Sequence, residues 1–447
     1  MDDTRSLIDA DKRTLWHPFT QHSAWEQHQP LVIAAAEGAE LIDSDGERYL
    51  DGVASLWVGV HGHRHPKVDQ AVREQLDRVA HTTLLGLANV PSVRLAEALI
   101  AKAPGQLSRV FYSDAGSTAV EIALKMAFQW QQQAGNTQRT RFARFDHAYH
   151  GDTLGAVSVG GIDLFHQVYG PLLFDTVALP TPLHPDPAVE DTLLQQALAT
   201  LDAHGDTLAA IIVEPLVQGA AGMRMHSPAY LDAILQRAKE LGALVILDEV
   251  ATGFGRTGTL FAAEQLSVAP DFLCLGKGLS NGYLPLAATL ATERVFQGFV
   301  GEHRHTFFHG HTFTGNPLAC AAGVASLALF EQERTLERVQ ARAAQLAQGL
   351  QALSARPEVA QVRQRGLMVG VDLVSASGAP FDPGLRMGAR VCQAMRSQGV
   401  ILRPLGDTLV LMPPLCISAA QIEQLLAAVE WGLNQLSALS DGAGVRG

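Results

Sequence analysis

Three stretches in the middle of the chain, LAAIIVEP (208–215), LVILDEV (244–250) and DFLCLGK (271–277), run through consecutive apolar residues and then end on charge. A strand with one face in water alternates apolar and polar side chains. A run without alternation belongs to a strand buried on both faces, as in parallel sheets covered by helices. The segment 228–241 reads as such a covering helix. Upstream, RVFYSD (109–114) leads into the helical STAVEIALKMAFQWQQQ, and RFARF (141–145) is a further short strand. The expectation is an α/β fold whose large domain has a mostly parallel sheet covered by helices.

The pattern differs on either side of this region. AELIDSDGERYLDG, within 31–52, reads as a hairpin with a DG turn. From about 317 the chain reads as one long helix through 353, then strands near 367–373 and 400–412 with helices between, a smaller α+β domain. The expected division is an N-terminal segment 1–60 that contributes to the small domain and the site, a large domain 61–315, and a small domain 316–447. The last ten residues, with Gly and Ser, are expected to fray. Repeats and low-complexity linkers are not found.

Composition narrows the function classes. With 447 residues, 47% hydrophobic and 17% charged, the chain is long and apolar enough for a large core. A net charge of −12 argues against a nucleic-acid or anionic-membrane surface. No apolar run reaches the roughly 18–20 residues that span a bilayer, and the polar, acidic start MDDTRSLIDADKRTLWHPF reads as neither signal nor transit peptide. The four cysteines (Cys274, Cys320, Cys392, Cys416) lack metal-binding spacing, so we read them as reduced thiols of a cytoplasmic protein. HGHRHP (61–66) and HGHTF (309–313) are rich in histidine without zinc-type spacing, so no metal is expected.

In open α/β sheets, ligands sit beyond the carboxyl ends of the strands. Asp114 is followed there by Ala115, Gly116, Ser117 and Thr118, at a strand-to-helix turn; Asp248 and Glu249 end LVILDEV; Lys277 ends DFLCLGK. The first turn offers free N–H groups and a positive dipole end to a phosphate, although Ser and Thr are also ordinary helix caps. Asp248 with Lys277 could equally form a plain buried ion pair. The chain holds only six lysines against 27 arginines, and Lys277 stands among apolar and glycine residues where arginine would carry the same charge. Pyridoxal 5′-phosphate needs all three parts: a lysine for its aldehyde, an anion beside its ring nitrogen and an anchor for its phosphate. Burial lowers a lysine pKa and favours the neutral nucleophile.

These residues resemble the class III, fold-type I pyridoxal-phosphate aminotransferases along essentially the whole chain. YHGDTLGAVSVG, VEPLVQGAAGM, LDEVATGFGRTGTLFA, LGKGLSNGYLPLAATL and FFHGHTFTGNPLACAA follow in the family's order. LWHPFTQ (15–21), VASLWVGVHGH (53–63) and LRPLGDTLVLMPP (402–414) are most similar to the biotin-pathway members. The resemblance implies amination of 8-amino-7-oxononanoate, with S-adenosylmethionine as the usual donor. It also implies the site. Lys277 resembles the cofactor-bonding, proton-moving lysine and Asp248 the partner of the ring nitrogen. Gly116 and Ser117 resemble the phosphate cradle, and Tyr149 the aromatic on the ring. Gly310, His311 and Thr312 resemble a segment donated by the other subunit of a homodimer, with Thr312 on the phosphate. Arg403 resembles the residue that binds the substrate carboxylate, which a planar guanidinium matches with two bonds. Arg256 is a lesser candidate for the same cavity, and Glu214 is either a site carboxylate or an arginine partner.

The chain departs from the resemblance at two positions of the pocket wall, Phe19 where a tyrosine is common and Leu56 where the first of two tryptophans is common. Trp57 is expected to be a core residue. A slimmer apolar wall suits an aliphatic donor such as L-lysine, and ASLWVGVHGHRH, HTTLLGLANVP and DLFHQVYGPLLF resemble members that use it. The alternatives to the biotin-pathway reading are an ω-amino acid, diamine or acetylornithine-type aminotransferase, and a cofactor-binding regulator without turnover.

Overall fold

The computed structural model of the chain describes residues 3–162 and 167–440. The start of the stretch DLFHQVYGPLLF therefore lies outside the described residues, as do the first two residues and residues 441–447.

The hairpin forms as expected: β1 (Ile33–Glu37) pairs with β2 (Glu40–Asp43), and β2 with β3 (Arg48–Asp51). The β2–β3 turn needs a left-handed residue, supplied by Gly46 with φ 91°. Then comes the large sheet, built from β4 (Leu107–Ser113), β5 (Arg141–Phe145), β6 (Thr176–Leu179) and β7 (Leu208–Val213). After a small two-stranded sheet, β8 (Val217–Gln218) and β9 (Arg224–Met225), it continues with β10 (Leu244–Asp248), β11 (Phe272–Leu275) and β12 (Ala287–Thr292). The order across the sheet is β4-β12-β11-β10-β7-β5-β6, and β12 alone runs antiparallel to its neighbours.

Both faces of this sheet are covered, which explains the unbroken apolar runs. Val245 and Leu247 of β10 join the core on one side with Tyr230, Ile234 and Leu235 of the helix Pro228–Glu240. Leu244 and Ile246 join the other side with Val120, Ala123 and Ala127 of the helix Gly116–Gln133.

The C-terminal region departs from the expected single long helix. Residues Pro317–Gln332 and Thr335–Ser354 form two helices. The break falls at Arg334, whose φ of 52° is left-handed and cannot continue a right-handed turn. A strand that the sequence reading did not place, β13 (Val359–Arg365), pairs with β14 (Met368–Leu373). The expected strand at 400–412 is three pieces, β15 (Val400–Ile401), β16 (Arg403–Leu405) and β17 (Thr408–Leu411). The order β13-β14-β17-β16 makes one antiparallel sheet, while β15 pairs in parallel with β3. Residues Leu436–Ser440 are helical, so the expected fraying does not extend to 438–440. Among the described residues, no helix is long and apolar enough to cross a membrane.

Candidate active site

The carboxyl ends of β4, β10 and β11 meet. A Cβ on Gly116, just past β4, would lie 2.5 Å from Val250 beyond β10, and one on Gly276 beyond β11 would lie 3.5 Å from the Gly116 Cα. At Gly116 any side chain would collide with Val250. Gly116 and Ser117 open the helix Gly116–Gln133, whose first N–H groups have no helical acceptors. Thr118 ties the turn: Ala115 N–H donates to its Oγ1 at 3.1 Å, and that hydroxyl donates to Asp114 at 2.9 Å.

Lys277 follows Gly276 with φ 40°, a left-handed value that carries strain in a side-chain-bearing residue. Burial lowers its pKa; Asp248 and Glu214 pull the other way by attraction, and Arg256 adds to the lowering. Its Nζ lies 5.4 Å from the centroid of the Trp57 ring. Trp57 therefore faces the lysine, contrary to the expectation of a plain core residue. It stands in the turn Ala54–Trp57, where all four residues are left-handed, with φ between 47° and 74°. Asp51 holds that turn, accepting from Ser55 N–H and Ser55 Oγ at 3.0 Å each and contacting His63 Nε2 at 2.9 Å.

Asp248 ends β10 and is 4% exposed. Its Oδ1 accepts from Val250 N–H at 3.0 Å, and its Oδ2 lies 2.7 Å from His150 Nδ1. A carboxylate there fixes the proton on Nδ1. His150 Nε2 is buried without a hydrogen-bond partner. The sequence reading missed His150 although it adjoins Tyr149 in HAYHGD.

Tyr149 donates through its hydroxyl to Asp152 at 2.8 Å, and burial raises its pKa. Asp152 N–H in turn donates to Ser117 Oγ at 3.3 Å, joining the tyrosine loop to the cradle. Glu214, left open by the sequence reading, is 4% exposed and accepts from the N–H groups of Tyr149 and Gly219. Burial raises its carboxyl to about 7, His150 opposing and Asp248 adding.

Arg256 is 1% exposed and donates to the carbonyls of Pro413, Trp57 and Gly59. Burial lowers its pKa to about 10. Its guanidinium fastens the Trp57 turn to the C-terminal segment through these carbonyls, while its Nε is buried without a hydrogen-bond partner. Arg403 opens β16 on the exposed side, with its guanidinium carbon 5.9 Å from the Phe19 ring centroid. Two pocket candidates are thus neighbours. Leu56 adjoins Trp57 and is half exposed. His311 Nε2 approaches Asp114 at 3.9 Å, and Thr312 beside it is exposed.

The donor set suits pyridoxal phosphate. A Cβ at Gly116 would strike the Val250 side chain, a lysine whose pKa burial lowers stands at the neighbouring strand end, and a buried carboxylate with its histidine ends β10. Among the described residues no group of three or more His, Cys, Asp or Glu is arranged to hold a metal ion.

Residues 22–431 match the aminotransferase class-III family. The adenosylmethionine-8-amino-7-oxononanoate aminotransferase of Nitratidesulfovibrio vulgaris is 52% identical over 95% of this chain and 81% of its own. The crystal structure of the enzyme of that name from Methanocaldococcus jannaschii superposes with a TM-score of 0.93 at 40% identity, covering 97% of this chain and 99% of that one. A thermostable (S)-enantioselective omega-transaminase from Thermomicrobium roseum superposes with a TM-score of 0.94 at 35% identity, covering 98% and 99%. Identity sustained along the chain, on a sheet whose strand ends converge on one lysine, assigns the fold and the chemistry together: the chain belongs to the class-III aminotransferases.

Proposed function

We propose that the protein is a pyridoxal-phosphate aminotransferase that converts 8-amino-7-oxononanoate to 7,8-diaminononanoate in biotin biosynthesis. The observation that carries the reading is Lys277 at the meeting of three strand ends, beside Asp248, in a chain half identical to a relative named for this substrate.

When bound, pyridoxal phosphate supplies an electron-accepting ring on which an amino group passes from donor to ketone. The chain's residues set the conditions. Gly116 and Ser117 would hold the phosphate on backbone N–H groups, and Tyr149 would contribute the aromatic for the ring. Asp248 presents a fixed negative charge to the ring nitrogen, aimed by His150. Lys277 Nζ, whose pKa burial lowers, would hold the cofactor and would move the proton between the donor and acceptor carbons. Arg403 binds the substrate carboxylate, with Phe19 and Leu56 on the pocket wall beside Trp57.

The donor is S-adenosylmethionine, as in the name of the relatives. The second reading, L-lysine, is favoured by the slimmer pocket wall, where Leu56 offers no flat face to an adenine ring. A related ω-amino acid or diamine activity is the third, raised by the likeness to the omega-transaminase. We further propose a cytoplasmic homodimer in which Gly310, His311 and Thr312 complete the partner's site; Phe308, Phe313 and Leu85 expose apolar surface around that segment. The chain divides into 1–60, 61–315 and 316–447, the first and last joined by β3 and β15.

The test is a half-reaction. The purified cofactor-loaded enzyme is mixed with S-adenosylmethionine or L-lysine, and the visible cofactor absorbance is followed. Loss of the band with one donor, and its return on adding 8-amino-7-oxononanoate, is expected. A band that neither donor changes, or that the oxononanoate fails to restore, overturns the reading.

A further inference from the structure

We propose that Glu214 is a positioning residue that fixes both walls of the site, the backbone of Tyr149 through Oε1 and the Gly219 turn behind Trp57 through Oε2. This rests on the reading that pyridoxal phosphate is held at Lys277. Glu214 stands one residue past β7 and points its carboxylate into the protein. Tyr149 N–H donates to Oε1 at 3.1 Å and Gly219 N–H to Oε2 at 3.0 Å. Tyr149 belongs to the loop after β5, the sheet neighbour of β7. At Gly219 a Cβ would lie 3.2 Å from the Trp57 ring, so that turn backs the tryptophan directly. One side chain thus couples the loop that carries Tyr149 to the turn that backs Trp57. Two N–H donors on separate oxygens make a rigid bridge, and the charge strengthens both bonds.

A protonated carboxyl keeps one good acceptor oxygen, so the bridge depends on ionisation. Burial holds Glu214 at about 7, within working range; the charged and titratable groups facing it are His150, Asp248, Lys277 and Tyr149. A glutamine of the same shape accepts one N–H and opposes the other with an NH₂.

The test strips cofactor from the full chain and titrates it with pyridoxal 5′-phosphate at pH 6, 7 and 8, for wild type, Glu214→Gln and Gly219→Ala. Glu214→Gln is expected to raise the cofactor dissociation constant about tenfold at pH 8 and to flatten its pH dependence. Gly219→Ala pushes on Trp57 alone, so it is expected to leave cofactor affinity unchanged and to raise the KM for the amino donor severalfold. Wild-type affinity and pH dependence in Glu214→Gln overturn the proposal, as does an affinity loss that keeps the wild-type pH dependence. A wild-type chain that takes up no pyridoxal phosphate refutes the functional reading itself, and the proposal with it.

Discussion

Asp248 has one oxygen on a backbone N–H and the other on an imidazole, so its charge is held in place before any ligand arrives. Asp248→Asn keeps the shape and removes the charge. Cofactor uptake is expected to survive and turnover to fall at least about 100-fold, since a buried charge pair contributes several kcal/mol; near-wild-type turnover would remove Asp248 from the mechanism. Arg403→Ala should weaken 8-amino-7-oxononanoate far more than the donor, by roughly 2–5 kcal/mol where the pair is desolvated. Half-reaction rates for each substrate check this, and equal losses would make Arg403 structural. Lys277 was legible because lysine is scarce and this one stands among apolar residues. Glu214 was legible only as one of two alternatives and His150 not at all, because a glutamate before a proline or a histidine beside a tyrosine is common and their partners come from other strands. Trp57 was misread for the same reason: sequence gives no sign that a left-handed turn points its ring at a lysine.

The strand ends were legible as elements because continuous apolar runs identify doubly covered strands, whatever their order. The reversal of β12, the break at Arg334 and the transfer of β15 to the N-terminal sheet were not, since each depends on pairing between distant segments. The turn Ala54–Trp57 is the most demanding element. Each left-handed, side-chain-bearing residue costs about 1–2 kcal/mol, so four in a row persist only under outside restraint. Asp51 supplies much of it. Asp51→Asn is expected to lower stability by about 1–3 kcal/mol, because buried donors lose a charged acceptor. It should also raise the donor KM while cofactor binding persists. Urea unfolding and steady-state kinetics give both numbers, and unchanged KM with lowered stability would detach the turn from the pocket.

Across the whole molecule, stability should carry the signature of a buried acid. Glu249 is buried with Ala262 and Ala263 N–H groups on its oxygens, and burial raises its carboxyl to about 8. A carboxyl raised on folding contributes stability that is complete below its unfolded value near 4.5 and is lost as pH climbs through the folded value. Between those limits the slope from this one proton is about 1.4 kcal/mol per pH unit. Glu249→Gln forfeits one acceptor and so lowers stability overall, but its stability should fall less steeply from pH 5 to pH 8 than that of wild type. Urea unfolding of the cofactor-free chain at both pH values checks the sign, and equal slopes would place the buried proton elsewhere. The sheet order has a consequence of another kind. β4, which leads into the Gly116 turn, is an edge strand whose only neighbour in the sheet, among the described residues, is β12. As the chain leaves the ribosome, β4 emerges early and has nothing to pair with until Ala287–Thr292 has been made, by which time β5, β7, β10 and β11 are all available to assemble. Closing so long a loop is slow, so the cradle is completed among the last parts of the nascent domain, and a chain interrupted before residue 287 leaves β4 as a bare edge open to pairing with another molecule.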